Sequence, residues 1–237
     1  MFFTLEKLQQ RTTELKDRRY FGHRTVAPFT SMDGQLGPDE VYCEFPENIE
    51  GGQISVGDFF VGRDRYMWFD KETELLPEKD GCKVVGLFDF GKTQDGFLEG
   101  FESLLYVNGR PYQGVDTFHN EVVFTGNGHG RVRLTFLVWT GLGSAEGITS
   151  YCHQMKQADL AYLHVAADEL YYYAETITRT IPLLAEDNTD RTELLMALDR
   201  AFLEIDWKED SVFYPSVERA LEKLKKELGG MEKNSAV

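Results

Sequence analysis

Positive charge, cysteine and long apolar runs are all scarce in this chain of 237 residues. Lysine and arginine number 25 against 40 aspartates and glutamates, a formal net charge of −15. The acids are spread along the chain rather than gathered in a tail. Such a surface repels phosphate backbones, so nucleic acid is excluded as an expected partner. Cysteine occurs only as Cys43, Cys82 and Cys152, with no Cys-x-x-Cys pair. An odd, scattered set in a chain of this length reads as free thiols in a reducing compartment, not as a disulfide framework. No window approaches the roughly 18 consecutive apolar residues of a membrane span. The start, Met1-Phe2-Phe3-Thr4-Leu5-Glu6-Lys7, meets charge too early for a secretory leader. The expected setting is cytoplasmic, with no membrane partner.

Motifs that carry chemistry are missing as well. His23, His119, His129, His153 and His164 form no His-x-His or His-Glu-x-x-His arrangement, so no metal site is expected. There is no Gly-x-Ser-x-Gly elbow and no phosphate loop ending in Gly-Lys. Gly141-Leu142-Gly143-Ser144-Ala145-Glu146-Gly147 misses the dinucleotide register by one residue and reads as a linker. Cys152 beside His153 is a weak pair, because sequence neighbours rarely face each other. No catalytic, cofactor-binding or metal-binding residue is therefore expected in this chain.

What is present is enough apolar material for a core: 42% hydrophobic residues, with 13% aromatic. Leu5, Leu8, Thr12 and Leu15 step by three and four, which predicts a first helix, with Lys16, Arg18 and Arg19 at its end and Gly22 stopping it. From about Val26 to Trp139, short Val-, Phe-, Tyr- and Leu-rich runs alternate with turn residues. They predict strands at 40–45, 53–61, 66–74, 83–90, 101–107, 110–115, 120–125 and 131–139. Asn108-Gly109 predicts a tight hairpin, since both residues tolerate positive φ. Beyond Ser150, Leu160, Leu163, Ala167, Leu170, Ala174, Ile177 and Ile181 predict one long helix, broken near Pro182. A second helix is expected to open with Asp190 and Glu193 as a capping box, and a third runs through Val217, Leu221, Leu224 and Leu228 to Gly229-Gly230. The expected fold is mainly β with α: an antiparallel β-sandwich of jelly-roll type, preceded by one helix and followed by three. The expected segments are 1–22, 23–150 and 151–237. The three C-terminal helices need a surface to cover: each other, the sandwich, or something outside the chain.

The densest mix of charge and aromatics is Gly62-Arg63-Asp64-Arg65-Tyr66-Met67-Trp68-Phe69. Read as a site, it is an edge for sugar stacking or domain contact, with Trp68 or Tyr66 as the platform. Read structurally, its aromatics fill the sandwich and its charges pair locally. Arg63, Asp64, Arg65, Tyr66, Trp68 and Tyr112 are the candidate sugar or interface residues.

Four segments of the β-rich region carry a resemblance. Arg65-Tyr66-Met67-Trp68-Phe69, Leu87-Phe88-Asp89-Phe90-Gly91 and Glu102-Ser103-Leu104-Leu105-Tyr106-Val107-Asn108-Gly109-Arg110-Pro111 are similar to the galactose-binding-like jelly rolls that accompany glycoside hydrolases. The continuation Tyr112-Gln113-Gly114-Val115-Asp116-Thr117-Phe118-His119-Asn120-Glu121-Val122 is more telling. With Ala158-Asp159-Leu160-Ala161-Tyr162-Leu163 and Asp168-Glu169-Leu170-Tyr171-Tyr172, the whole chain resembles the N-terminal, non-catalytic region of cytosolic-type family 38 α-mannosidases. The resemblance implies a parent that hydrolyses α-mannosides by a retaining mechanism with zinc. In that family the catalytic domain opens with a Gly-His-Thr-His-Ile-Asp type motif whose His and Asp bind the metal. No such motif occurs here, and Val237 is expected to lie just before it. The zinc is thus expected in a catalytic domain of the same polypeptide, which is the implied partner, alongside homo-oligomer contacts and mannosides bound by the parent. The alternatives are a jelly-roll carbohydrate-binding module and a protein-interaction module docking through its helices.

Overall fold

The computed structural model describes residues 4–36, 43–91, 100–124, 130–141 and 151–235, and side chains for all of these except 151 and 232–235. The chain forms two compact units. One comprises Gly22–Lys79 and Lys83–Tyr162; the other comprises Met1–Phe21, Asp80–Cys82 and Leu163–Val237.

The first unit is an antiparallel β-sandwich. Its strands are β1 (Tyr20–Thr25), β2 (Phe29–Asp33), β3 (Gly52–Ile54), β4 (Phe59–Gly62), β5 (Tyr66–Glu74), β6 (Cys82–Asp89), β7 (Glu102–Val107), β8 (Arg110–Asp116), β9 (Glu121–Val123), β10 (Arg131–Trp139), β11 (Tyr151–Gln154) and β12 (Gln157–His164). They make a six-stranded sheet in the order β3-β2-β5-β10-β7-β8, a four-stranded sheet β1-β12-β6-β9, and the ribbon β11-β4. Alternation along β10 sets the layers. Val132, Leu134, Phe136 and Val138 turn inward at 4, 0, 0 and 0% exposure, while Arg133, Thr135, Leu137 and Trp139 take the opposite face. The inward residues meet Phe29, Phe69, Leu105, Phe88, Val122 and Leu160 in one core drawn from both large sheets. The Phe136 ring stands edge-on to Phe29 and Phe90, the arrangement aromatic quadrupoles favour.

Strand pairing follows the sequence closely at β5, β7, β8 and β10. The β7–β8 turn holds Asn108 at φ 52° and Gly109 at φ 76°, the left-handed pair the hairpin requires. The expected strand at 40–45 lies partly outside the described residues; in its described part Cys43 makes an isolated bridge to Leu36. His129 and residues 142–147 of the glycine-rich linker also lie outside them.

Four expectations need correction. The first helix, α1 (Thr4–Asp17), stops before Arg18, and the chain enters β1 instead of running helical to Gly22. Gly22 is a strand residue at φ 64°, placed where an added Cβ would lie 3.1 Å from the Tyr162 ring. Next, Leu160 and Leu163 belong to β12, and helix α2 (Val165–Thr180) begins only after His164. Ala158, Leu160 and Ala161 are all fully buried, and a strand buried on both faces has no alternation to reveal it. Helix α3 (Thr189–Phe202) is capped by Asn188, whose side chain accepts from the Asp190 N–H at 2.8 Å, rather than by an Asp190–Glu193 box. Helix α4 (Asp210–Ser235) passes through Gly229-Gly230, because neither glycine takes the left-handed conformation of a helix stop.

The second unit is helical. Leu8 and Leu15 of α1, Leu170, Ala174 and Ile177 of α2, Leu198 and Phe202 of α3, and Phe213, Val217 and Leu224 of α4 form its core. The amphipathic faces are therefore covered by one another, with α1 as the fourth member. Arg200–Glu227 and Lys223–Glu204 link α3 and the residues just beyond it to α4. Among the described residues no helix is long and apolar enough to cross a membrane. Cys43, Cys82 and Cys152 are free thiols.

Candidate functional site

Of the candidate residues, Tyr66 and Trp68 lie on the outer face of the six-stranded sheet, with Arg63, Asp64 and Arg65 on the turn that leads into β5. Directly paired residues of antiparallel strands share a face, so the register lays the side chains out in rows. In the first row Asp70 accepts from Arg133 Nε at 2.7 Å and from Thr135 Oγ1 at 2.6 Å, so its charge is satisfied inside the sheet. The middle row runs Met32, Trp68, Leu137, Leu104 and Gly114. The last row runs Tyr66, Trp139, Glu102 and Asp116 across β5, β10, β7 and β8.

Trp68 is 1% exposed. It packs with Cys43 and Ile49, and with Phe45 and Tyr106, whose ring centroids lie 5.6 and 5.8 Å away. Its ring therefore fills a small satellite core on the outer face and offers no platform to solvent. A cleft of about 860 Å³ opens beside this cluster, lined by Met32, Asp33, Glu44, Phe45 and the almost wholly covered Trp68.

The turn between β4 and β5 is held by its own polar groups. Asp64 sits at φ 52°, a conformation a short polar side chain tolerates. Its N–H donates to the Gly141 carbonyl at 2.7 Å, and its Oδ1 accepts from the Trp139 indole Nε1 at 2.9 Å. Arg65 donates from Nε to Asp33 Oδ1 at 2.9 Å and from Nη1 to the Val61 carbonyl at 2.8 Å. Arg63 is exposed on the same turn. Local charge pairing with Asp33 thus accounts for Arg65, while Asp64 is held by its backbone bond to Gly141 and fixes the orientation of Trp139.

Tyr66 and Trp139 are each half-buried, and Glu102 is exposed. Burial raises the pKa of the Tyr66 hydroxyl, and the nearby Asp64, Cys43 and Glu102 raise it further. Asp116 ends the row. Its Oδ1 accepts from the N–H groups of Phe118 and His119 at 2.7 and 2.8 Å, and the His119 ring Nδ1 lies 3.0 Å from Oδ2. Partial burial pushes this carboxyl up, but the His119 ring and the two N–H donors outweigh it and hold it below its ordinary value.

Tyr112 stands apart from this row. It occupies the β-bulge of β8, donates its hydroxyl to the Val123 carbonyl at 2.7 Å, and stacks on Phe124. It closes the sandwich edge between β8 and β9.

Sequence reading singled out the turn and Tyr66 but missed Trp139, Glu102 and Asp116. Alternation along Arg131–Trp139 places Trp139 on the wet face, which was a usable signal. The register that sets Glu102 and Asp116 beside it is not legible in a linear sequence.

The described histidines have structural partners. His153 is buried between the Thr140 and Gly91 carbonyls and stacks on Phe60, and His164 caps α2 by accepting from the Ala167 N–H at 3.2 Å. Among the described residues no group of three His, Cys, Asp or Glu is placed to hold a metal ion. The outer face can supply aromatic surface and hydrogen-bond acceptors.

No protein-family model matches the chain, and no curated protein matches it. Among solved structures it is similar to two of ZmpB from Clostridium perfringens: CBM51-2 in complex with GlcNAc and INT domains, and CBM51-2 and INT domains. Identities are 14% and 13%, over 91% and 89% of this chain, with a TM-score of 0.25 in both. The chain spans 45% and 44% of the length of those structures.

Proposed function

We propose that this chain is the N-terminal, non-catalytic part of a cytosolic-type family 38 α-mannosidase, a sandwich and a helical unit that serve as architecture for a catalytic domain in the same polypeptide. The observation that carries the reading is where the resembling segments fall. Tyr66–Phe69, Leu87–Asp89, Glu102–Val107, Arg110–Asp116 and Glu121–Val122 lie in β5, β6, β7, β8 and β9 of one sandwich. The Asn108-Gly109 turn and the Asp116–His119 turn, both within the resembling segments, sit at the two ends of β8.

In this reading the zinc and the nucleophile of α-mannoside hydrolysis belong to the catalytic portion. The described residues do not fit a metal site, so no step of the reaction is assigned to them. The chain's roles are to support that portion and to take part in oligomer contacts in the cytoplasm. Purified free of its parent, the chain should not cleave an aryl α-mannoside with or without added zinc, and should retain less than one equivalent of zinc on dialysis. Turnover above that of a buffer blank, or stoichiometric zinc, would overturn the proposal.

A further inference from the structure

We infer that His164 is a pH-sensitive latch: as a neutral ring it fastens the first turn of α2, and when it takes up a proton that turn is released.

The latch is a buried imidazole whose Nδ1 has a fixed role. His164 is the last residue of β12 and the N-cap of α2, at φ −76° and ψ 113°. It is 5% exposed. Its Nδ1 lies 3.2 Å from the Ala167 backbone nitrogen. A backbone N–H can only donate, so Nδ1 carries the lone pair and the ring proton sits on Nε2. Nε2 lies 3.5 Å from Glu218 Oε1 of α4, and the ring stacks on Tyr214 of the same helix with centroids 4.5 Å apart. The backbone is held on both sides of the cap. The His164 N–H donates to the Arg19 carbonyl at 2.9 Å, and the Val165 N–H donates to the Gly81 carbonyl at 3.0 Å.

Protonation reverses the cap. A second proton, on Nδ1, would face the Ala167 N–H, donor against donor. The new charge would also lie buried at the positive end of the α2 dipole, and both circumstances disfavour it. The neighbouring acids do little to offset this. Glu218 faces the ring, but its side chain is 57% exposed and water screens it. Asp168, in the first turn of α2, is answered by the buried Arg19 at 2.8 Å. Asp210 is paired with Arg18. Tyr214 stays neutral through the imidazole range, with its hydroxyl donating to the Arg18 carbonyl at 3.2 Å, and Cys82 beside it is a free thiol.

The closed turn therefore holds the neutral ring, and an opened turn exposes an imidazole that protonates near its ordinary value of about 6.5. Linkage fixes the sign. The latch holds above that range and is progressively lost as pH falls below it, because the open form binds the proton. Asp168 rides on the same turn, so release also loosens its pair with Arg19.

The test is amide hydrogen exchange on the full chain at about pH 7.5 and about pH 5.5, values that bracket the imidazole range, with each rate divided by the unstructured-chain rate at the same pH. Linkage predicts about a tenfold loss of protection at the Ala167 amide between the two. The Asp190 amide is the internal control, because the Asn188 side chain that caps it does not titrate. His164→Asn, which offers a cap without a titrating ring, should remove the pH dependence at Ala167 whatever protection it leaves. Imidazole nitrogen shifts of the unaltered chain do not depend on how a variant folds. At the higher pH they should show His164 protonated on Nε2 and bare on Nδ1. The opposite tautomer, equal Ala167 protection at the two pH values, an equal loss at Asp190, or a loss that persists in His164→Asn would each overturn the inference.

Discussion

Replacing Trp68 by alanine separates the two roles an aromatic can play on this sheet. Trp68 is 1% exposed and packs between Phe45 and Tyr106 in a cluster whose other buried members are Cys43 and Ile49. Truncating a core tryptophan to alanine costs about 3–5 kcal/mol, the lost transfer energy plus the cavity left behind. The low end applies here, because the cluster is a satellite whose cover, the 43–49 segment, can settle into the space. About 3 kcal/mol is expected. Urea-dependent hydrogen exchange at the Phe69 and Leu137 amides is the suitable assay, since it reads the sandwich alone and does not assume one transition for both units. A loss below about 1 kcal/mol would refute the packing argument and restore Trp68 as a surface platform.

The other predictions concern backbone and protonation. Gly91→Ala should destabilise the sandwich by about 3 kcal/mol or more, measured by the same exchange, because φ is 102° and an added Cβ would lie 2.3 Å from the Gln154 carbonyl oxygen. Asn188→Ala should cost about 1 kcal/mol in the helical unit, read from exchange in the first turns of α3, by removing the cap on the Asp190 N–H. Asp116 has a depressed pKa in the folded state. Its contribution to stability is therefore present above the ordinary carboxylate range and is lost as pH falls through the folded value. Asp116→Asn should flatten that acid limb in a pH series of sandwich stability. Tyr214 runs the other way: burial pushes its pKa up to about 12. Its neutral form stabilises the folded state below about pH 10, the ordinary tyrosine value, and that stability fades as pH rises through the folded pKa. Tyr214→Phe should weaken the alkaline loss and remove one late-titrating phenolate from the absorbance titration.

How much of this was legible beforehand depends on how many faces of an element are buried. β5, β7, β8 and β10 each set a core face against a polar or satellite-covered face, and their alternation predicts them almost to the residue. β12 is buried throughout its middle, and its Leu160–Leu163 spacing fits a helix as well as a strand, so it was read as the start of α2. β1 and β2 are short and carry a glycine or follow a proline, which locally argues against strands. The candidate site was half visible for a similar reason. Composition drew attention to Arg63, Asp64, Arg65, Tyr66 and Trp68, but only the fold divides them into a locked turn, a buried ring and one half-buried member of a row on the outer face. Trp139, Glu102 and Asp116 come from three different strands, and nothing local to any of them announces the others.

The central claim, that this chain is architecture for a catalytic domain in the same polypeptide, is tested most directly by reading the coding frame on the far side of the Val237 codon. The account predicts that the frame continues into a Gly-His-Thr-His-Ile-Asp type motif within the next few dozen codons. A stop codon directly after Val237, or a continuing frame without that motif, would contradict it.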